Sequence, residues 1–177
     1  MKKLRIIGII ALMSLCPAFC RAESQLWALH DFSDMREAGR IRFTNSYKVG
    51  TTDTLVYTCS GTSAEFTNTI DDVIRLPKSG STVVISPAIS KLSRVVISHY
   101  QYSTCTNIKV YVSTDGTTWG SPISGSDIDY NAGGRIDVTL PRRAYYIKIA
   151  NTTNADFTIY RITYYTEDCN CFLYTPE

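Results

Sequence analysis

The chain has 177 residues, of which 44% are hydrophobic, 19% charged and 11% aromatic. Its 18 basic and 16 acidic residues give a formal charge of +2 at pH 7, and no run of lysines or arginines concentrates the positive charge. Nucleic-acid binding and attachment to an anionic membrane are therefore not expected, because both need a basic patch. The length suits one domain with a substantial core.

The first 22 residues have the layout of a secretory signal peptide. A basic head at Met1–Arg5 precedes an apolar run at Ile6–Leu15, and Cys20-Arg21-Ala22 supplies small residues for cleavage. The apolar run is too short to span a bilayer. Leu15 and Phe19 precede the two leader cysteines where a lipidated cysteine normally follows a small residue, so lipidation is not expected. We expect cleavage after Ala22 and export to the periplasm, the surface or the surroundings of a bacterium.

Cleavage at this position would leave residues 23–177. Four basic residues leave with the leader, so 14 of the 18 remain against 16 acidic residues, a formal charge of about −2. No later segment is apolar enough to insert into a bilayer. Export also removes nucleotides, coenzymes and genomic DNA from the expected ligands.

Short segments of alternating apolar and polar residues, separated by turn residues, dominate the rest of the chain and predict β-strands. The predicted strands are Thr54–Thr58, Thr82–Ser86, Ser93–Tyr102, Asn107–Ser113, Gly134–Leu140, Ala144–Ala150 and Phe157–Tyr165. Pro87 is expected to end the second strand, because proline cannot donate a ladder hydrogen bond. Only Phe32–Arg40 suits one or two helical turns, with Ser33 as the capping residue.

The alternation also predicts which side chains face the core. The outward-facing residues on this basis include Val96, Ser98, Tyr100, Tyr102, Lys109, Tyr111, Tyr146 and Lys148. Antiparallel strands without crossover helices bury their apolar faces by packing as two sheets. The predicted fold is therefore an all-β, antiparallel β-sandwich of the jelly-roll type, with one domain over residues 23–166 and a tail over residues 167–177.

Four cysteines follow the leader, and an even number in an oxidising compartment favours disulfides. Cys59 follows a predicted strand and Cys105 lies in a predicted loop, so we expect a disulfide between them. Cys169 and Cys171 are awkward partners, because a bridge between residues two apart closes a small, strained ring. Their role stays open. A zinc site is disfavoured, because the chain has only two histidines to add to the cysteines.

Four segments together resemble a known family. They are Ile74–Ile89 with the following Leu92-Ser93, the stretch VYVSTDGTTW at Val110–Trp119, Tyr145–Ile149 and Phe157–Tyr165. Their order is similar to that of galactose-binding-like jelly-roll modules, the carbohydrate-binding and adhesin-type accessory modules of secreted Bacteroidetes proteins. The resemblance covers roughly residues 74–165. It implies a jelly roll and a ligand-binding role, but it does not identify the ligand.

The aromatic residues are the candidate ligand-binding groups. The chain has twelve tyrosines and two tryptophans, and four tyrosines fall on outward-facing positions: Tyr100, Tyr102, Tyr111 and Tyr146. A tyrosine offers a flat apolar face and a hydroxyl, which suits a sugar ring, although cross-strand aromatic pairs also stabilise sheets. Lys148 could add a charged hydrogen bond. Trp119 follows the predicted tight turn at Asp115-Gly116, where it packs over the turn or supports a sugar.

Catalytic and metal-binding patterns are not found in the sequence. It has no Gly-x-Ser-x-Gly elbow, no His-Glu-x-x-His helix and no phosphate-binding glycine loop, so we do not expect an enzyme. Similar modules hold a structural calcium, for which Asp31 and Asp34 are the candidates here. Calcium takes about six to eight oxygen ligands, so two aspartates give it weak support and no cofactor is expected.

The sequence therefore predicts a secreted, non-catalytic carbohydrate-binding module whose partner is a polysaccharide or another glycan. The alternative is a structural or adhesin-like surface protein whose partner is another protein. The Cys169-Asn170-Cys171 tail favours the alternative, because an unpaired thiol can cross-link chains.

Overall fold

The computed structural model describes residues 23–32, 44–49, 53–61, 65–67, 73–77, 79–100, 105–130 and 133–168. The strands in these ranges are β1 Glu23–Asp31, β2 Thr44–Val49, β3 Asp53–Ser60, β4 Glu65–Thr67, β5 Val73–Leu76, β6 Ser81–His99, β7 Ile108–Ser113, β8 Ile128–Asp129, β9 Arg135–Asn151 and β10 Phe157–Asp168. Short 3-10 turns lie at Cys105–Asn107 and Gly125–Asp127. All pairs of hydrogen-bonded strands among the described residues are antiparallel.

Two long strands, β6 and β9, each run through both sheets of a sandwich. The first sheet has the order β2-β3-β6-β9-β7 and uses the first half of β6 and the second half of β9. In the second sheet, β10 lies between β6 on one side and β1 and β5 on the other, with β9 and β8 beyond β6 and with β4 beyond β5. The fold is the predicted all-β antiparallel sandwich, and its jelly-roll type stays a prediction.

The prediction that Pro87 ends a strand is corrected, because β6 continues past it to His99. The β6–β9 register shifts between Ile85 and Ile89 and again before Arg94, so the ladder is interrupted where the strand turns from one sheet to the other. An exposed proline is tolerated at such an interruption because no neighbour needs its missing N–H. The two predicted strands before and after Pro141 join as β9 in the same way.

The core lies between the inner faces of the two sheets. Ile85 and Ile147 from the first sheet and Ile97 and Ile136 from the second are all fully buried. The alternation predicted these faces because successive strand residues point to opposite sides. It was wrong for Val96 and Ser98, which were assigned outward but are 7% and 4% exposed. Both lie near the C-terminal end of β6, where the strand pairs with β10 on one side and β9 on the other.

A hydrogen-bonded chain of polar side chains crosses the core between the sheets. The Tyr57 hydroxyl of β3 lies 2.9 Å from the Tyr164 hydroxyl of β10 and also bonds to Nδ1 of His30 on β1. All three residues are buried. Burial lowers the pKa of His30 to about 4 and raises the pKa of Tyr164 above its usual value. Trp27 packs edge-on against Tyr164, which anchors β1 as well.

The structure corrects the expected Cys59–Cys105 disulfide. Cys59 is a free cysteine, 1% exposed, and belongs to the hydrophobic core. The inward alternation of Leu55 and Tyr57 continues to Cys59, so β3 carries its thiol into the sandwich. Desolvation raises the pKa of this thiol to about 12.

Several sequence predictions lie outside the described residues. They are the signal peptide at 1–22, Asp34 and the helical turns predicted after Phe32, Tyr102, Cys169 and Cys171. The last strand extends to Asp168, two residues past the predicted end of the domain at 166. In the parts of the chain that the structure describes, no helix has the length and apolar character needed to cross a membrane.

Candidate functional site

One carboxylate organises the turn that follows β7. Oδ1 of Asp115 accepts hydrogen bonds from the backbone N–H of Thr118 at 2.7 Å and of Thr117 at 2.8 Å, and from the Ser113 hydroxyl at 2.8 Å. These donors, the two backbone groups first, hold the pKa of Asp115 well below its usual range. The Ser113 oxygen in turn accepts from the Gly116 N–H at 2.9 Å. The predicted tight turn at Asp115-Gly116 is confirmed.

Gly116 lets this turn lie directly against the Tyr146 ring. Its φ is +75°, in the region that glycine adopts without steric cost. A Cβ on Gly116 would lie 3.1 Å from two carbons of the Tyr146 ring. The half-buried Tyr146 is therefore partly a packing residue that supports the turn leading to Trp119.

Lys148 lies between two aromatic rings. It is the direct cross-strand partner of Tyr111, because β7 and β9 are paired in that register. The Lys148 ammonium nitrogen lies 4.5 Å from the centroid of the Tyr111 ring and 4.5 Å from that of the Trp119 ring. Such cation–π contacts contribute about 0.5–1 kcal/mol each near a surface. They hold the ammonium and both rings together on the outer face of the first sheet.

We call Tyr111, Trp119, Tyr146 and Lys148 the β7–β9 patch. The sequence named all four as candidates, but it predicted only that Trp119 lies over the Asp115-Gly116 turn and predicted no contact between Trp119 and the other three. All four are half-buried, with the inner face of the same strands occupied by Val110, Ile147 and Ile149. The patch thus combines three aromatic rings with one cation on an otherwise well-packed sheet.

Tyr100 lies elsewhere. It follows β6 in the second sheet, is 38% exposed, and its ring lies 5.1 Å from that of Tyr160 on β10. Sequence reasoning missed Tyr160. The spacing of the isoleucines could have indicated it. Two residues, Tyr160 and Arg161, lie between the inward-facing Ile159 and Ile162, where strict alternation allows only one. The register of β10 accordingly shifts between Ile159 and Arg161.

Two lysines, Lys109 and Lys148, lie on the paired strands of the β7–β9 patch. Lys109, two residues before Tyr111 on β7, donates to the Thr106 carbonyl at 3.2 Å. The Asp115 carboxylate is engaged by its own turn. Within the described residues, no carboxylate lies at ion-pair distance from Lys148.

Of the two calcium candidates, only Asp31 lies within the described residues. Asp31 accepts a hydrogen bond from Nε of Arg161 at 2.9 Å and pairs with that guanidinium, while Asp34 lies outside the described residues. Among the described side chains, no group of three or more His, Cys, Asp or Glu is arranged to hold a metal.

Comparison with known proteins assigns no family to the chain. No protein-family model matches it, and no curated protein matches its sequence. The similarity of residues 74–165 to galactose-binding-like modules therefore stays a prediction.

Proposed function

We propose that the chain is a non-catalytic carbohydrate-binding module, exported from a bacterium, that binds a glycan through the β7–β9 patch. The observation that carries the proposal is the grouping of Tyr111, Trp119 and Tyr146 around Lys148 on one sheet face. The order of the sequence motifs, together with the sandwich, supports the finer assignment to the galactose-binding-like jelly rolls.

The chemistry of the patch suits a sugar. Aromatic rings pack against the C–H faces of a pyranose, and ammonium N–H groups donate to its oxygens. The patch lies on an open sheet face, so a bound sugar keeps much of its contact with water. We therefore expect weak binding at a single site, about millimolar to micromolar.

Titration of a polysaccharide panel against the chain from Glu23 onward tests the proposal. Replacing Tyr111 with alanine should weaken binding by about 1–2 kcal/mol, roughly 5- to 30-fold, with little change in melting temperature because the side chain faces outward. Tyr100→Ala is the matched control, since it removes a tyrosine from the second sheet. Failure to bind any glycan, or equal losses in both variants, would contradict the proposed site.

The alternative is a structural or adhesin-like protein with a protein partner, and one observation favours it. Leu26 and Leu29 on β1 are 59% and 45% exposed. β1 pairs with β10 on one side, and within the described residues no strand pairs with its other side. Exposed strand edges can bind another chain by strand addition. A panel without glycan binding, together with a protein interaction lost in Leu29→Lys, would support this alternative.

A further inference from the structure

Lys148 differs from the partly buried arginines on the outer faces of the sandwich. Arg75 pairs with Asp156 at 2.8 Å, and Arg94 and Arg161 pair with carboxylates on neighbouring strands. For Lys148, the described part of the chain offers two ring faces and no carboxylate. A fixed ammonium without an acidic partner is a binding group for an anion.

The surroundings of Lys148 support the same conclusion. The rings of Tyr111 and Trp119 both contact the ammonium, which reduces the side-chain freedom that Lys148 would lose when a ligand binds. The Oδ1 of Asp115 is held by three hydrogen bonds of its own turn, and among the described residues Asp115 forms no ion pair with Lys148. Lys109 lies on the same face of β7, next to Tyr111, and adds a second positive charge.

We infer that the ligand of the β7–β9 patch is an acidic glycan whose uronic acid carboxylate binds Lys148 while Tyr111 and Trp119 contact the sugar ring. This inference rests on the proposed function, because it takes the β7–β9 patch as the glycan site. A charge-assisted hydrogen bond is about twice as strong as a neutral one, so the carboxylate should dominate the selectivity.

The test uses two polymers that differ only in charge, polygalacturonate and the same polysaccharide after reduction of its carboxyl groups. We expect the chain from Glu23 onward to bind polygalacturonate about tenfold more tightly at low salt, a preference that shrinks as sodium chloride is raised to 0.5 M. Lys148→Met should abolish the preference, so that the variant binds both polymers with equal affinity. Lys148→Arg should retain the preference.

Arg143→Met is the matched control, because it removes one positive charge from an exposed position of the same strand, and it should keep the preference. Equal affinity of the wild type for both polymers would overturn the inference while leaving the proposed function intact. A preference that survives Lys148→Met would also overturn it. Failure of the whole glycan panel would instead defeat the proposed function itself.

Discussion

Gly116 meets two steric requirements at a single position. Its φ of +75° suits a residue without a side chain, and the space where a Cβ would lie is occupied by the Tyr146 ring at 3.1 Å. The Tyr146 ring therefore packs against the turn that connects β7 to Trp119. The orientation of one half of the β7–β9 patch depends on this contact.

Gly116→Ala should therefore lower the free energy of unfolding by more than the cost of its positive φ, because the added methyl group also contacts the Tyr146 ring. The control is Gly125→Ala, because Gly125 has a similar φ of +70° but nothing within 4 Å of the added Cβ. A left-handed angle costs about 1–2 kcal/mol for alanine, and the clash with Tyr146 should add about 1 kcal/mol at Gly116. Urea unfolding of both variants measures the difference. Equal losses of stability would show that the Tyr146 contact contributes nothing.

Strand β3 shows that the alternation of apolar and polar residues predicts inward positions, including one at Cys59 that the predicted strand did not include. The inward positions Leu55 and Tyr57 define a face that also includes Cys59, but the predicted strand ended at Thr58 and left Cys59 outside it. The outward assignments of Tyr111, Tyr146 and Lys148 were right because β7 and β9 are regular there.

Other features of the elements could not be predicted from local patterns. The continuity of β6 through Pro87 depends on pairing with three other strands, which a local proline signal does not reveal. The contact of Trp119 with Lys148 depends on how the hydrogen bonds of the Asp115 turn direct the backbone. The sequence alone does not give the distance between these two side chains.

The position of Cys59 in β3 predicts a thiol that reacts only when the strand is released. Its pKa of about 12 leaves almost no thiolate at pH 8, and the thiolate is the reactive form. Iodoacetamide at pH 8, followed by peptide mapping, should modify Cys59 slowly in buffer and faster in urea near the unfolding midpoint. Cys59→Ala combined with Ser60→Cys moves the thiol to the exposed neighbouring position, where labelling should be immediate. Rapid labelling of Cys59 in buffer, or a disulfide-linked Cys59 peptide, would contradict this.

At the scale of the whole molecule, hydrogen bonds between the side chains of His30, Tyr57 and Tyr164 connect the two sheets through the core. Tyr57 belongs to the first sheet, and the other two residues belong to the second. Separation of the sheets would therefore break both hydrogen bonds that connect the three side chains. We therefore expect protonation of His30 to be coupled to global unfolding.

The stability of the molecule should fall as the pH is lowered. The pKa of His30 is about 4 when folded and about 6.5 when unfolded, so the unfolded state takes up the proton first. Stability is complete above pH 6.5 and should decrease by about 2 kcal/mol between pH 7.5 and pH 5. Urea unfolding at these two pH values checks this. His30→Gln should be less stable but should lose most of this pH dependence, and an unchanged dependence would contradict the assignment.

The two ends of the described fold are neighbours. Glu23, the first residue of β1, pairs with Asp168, the last residue of β10. Paired residues of antiparallel strands have Cα atoms only about 4.5–5.5 Å apart, so a linker of a few residues could close the sandwich into a ring. Such a ring could be opened at another surface turn without removing a strand from either sheet. New chain ends could therefore be placed at a different turn while every strand keeps its pairing partners. The domain is thus a suitable scaffold for circular permutation.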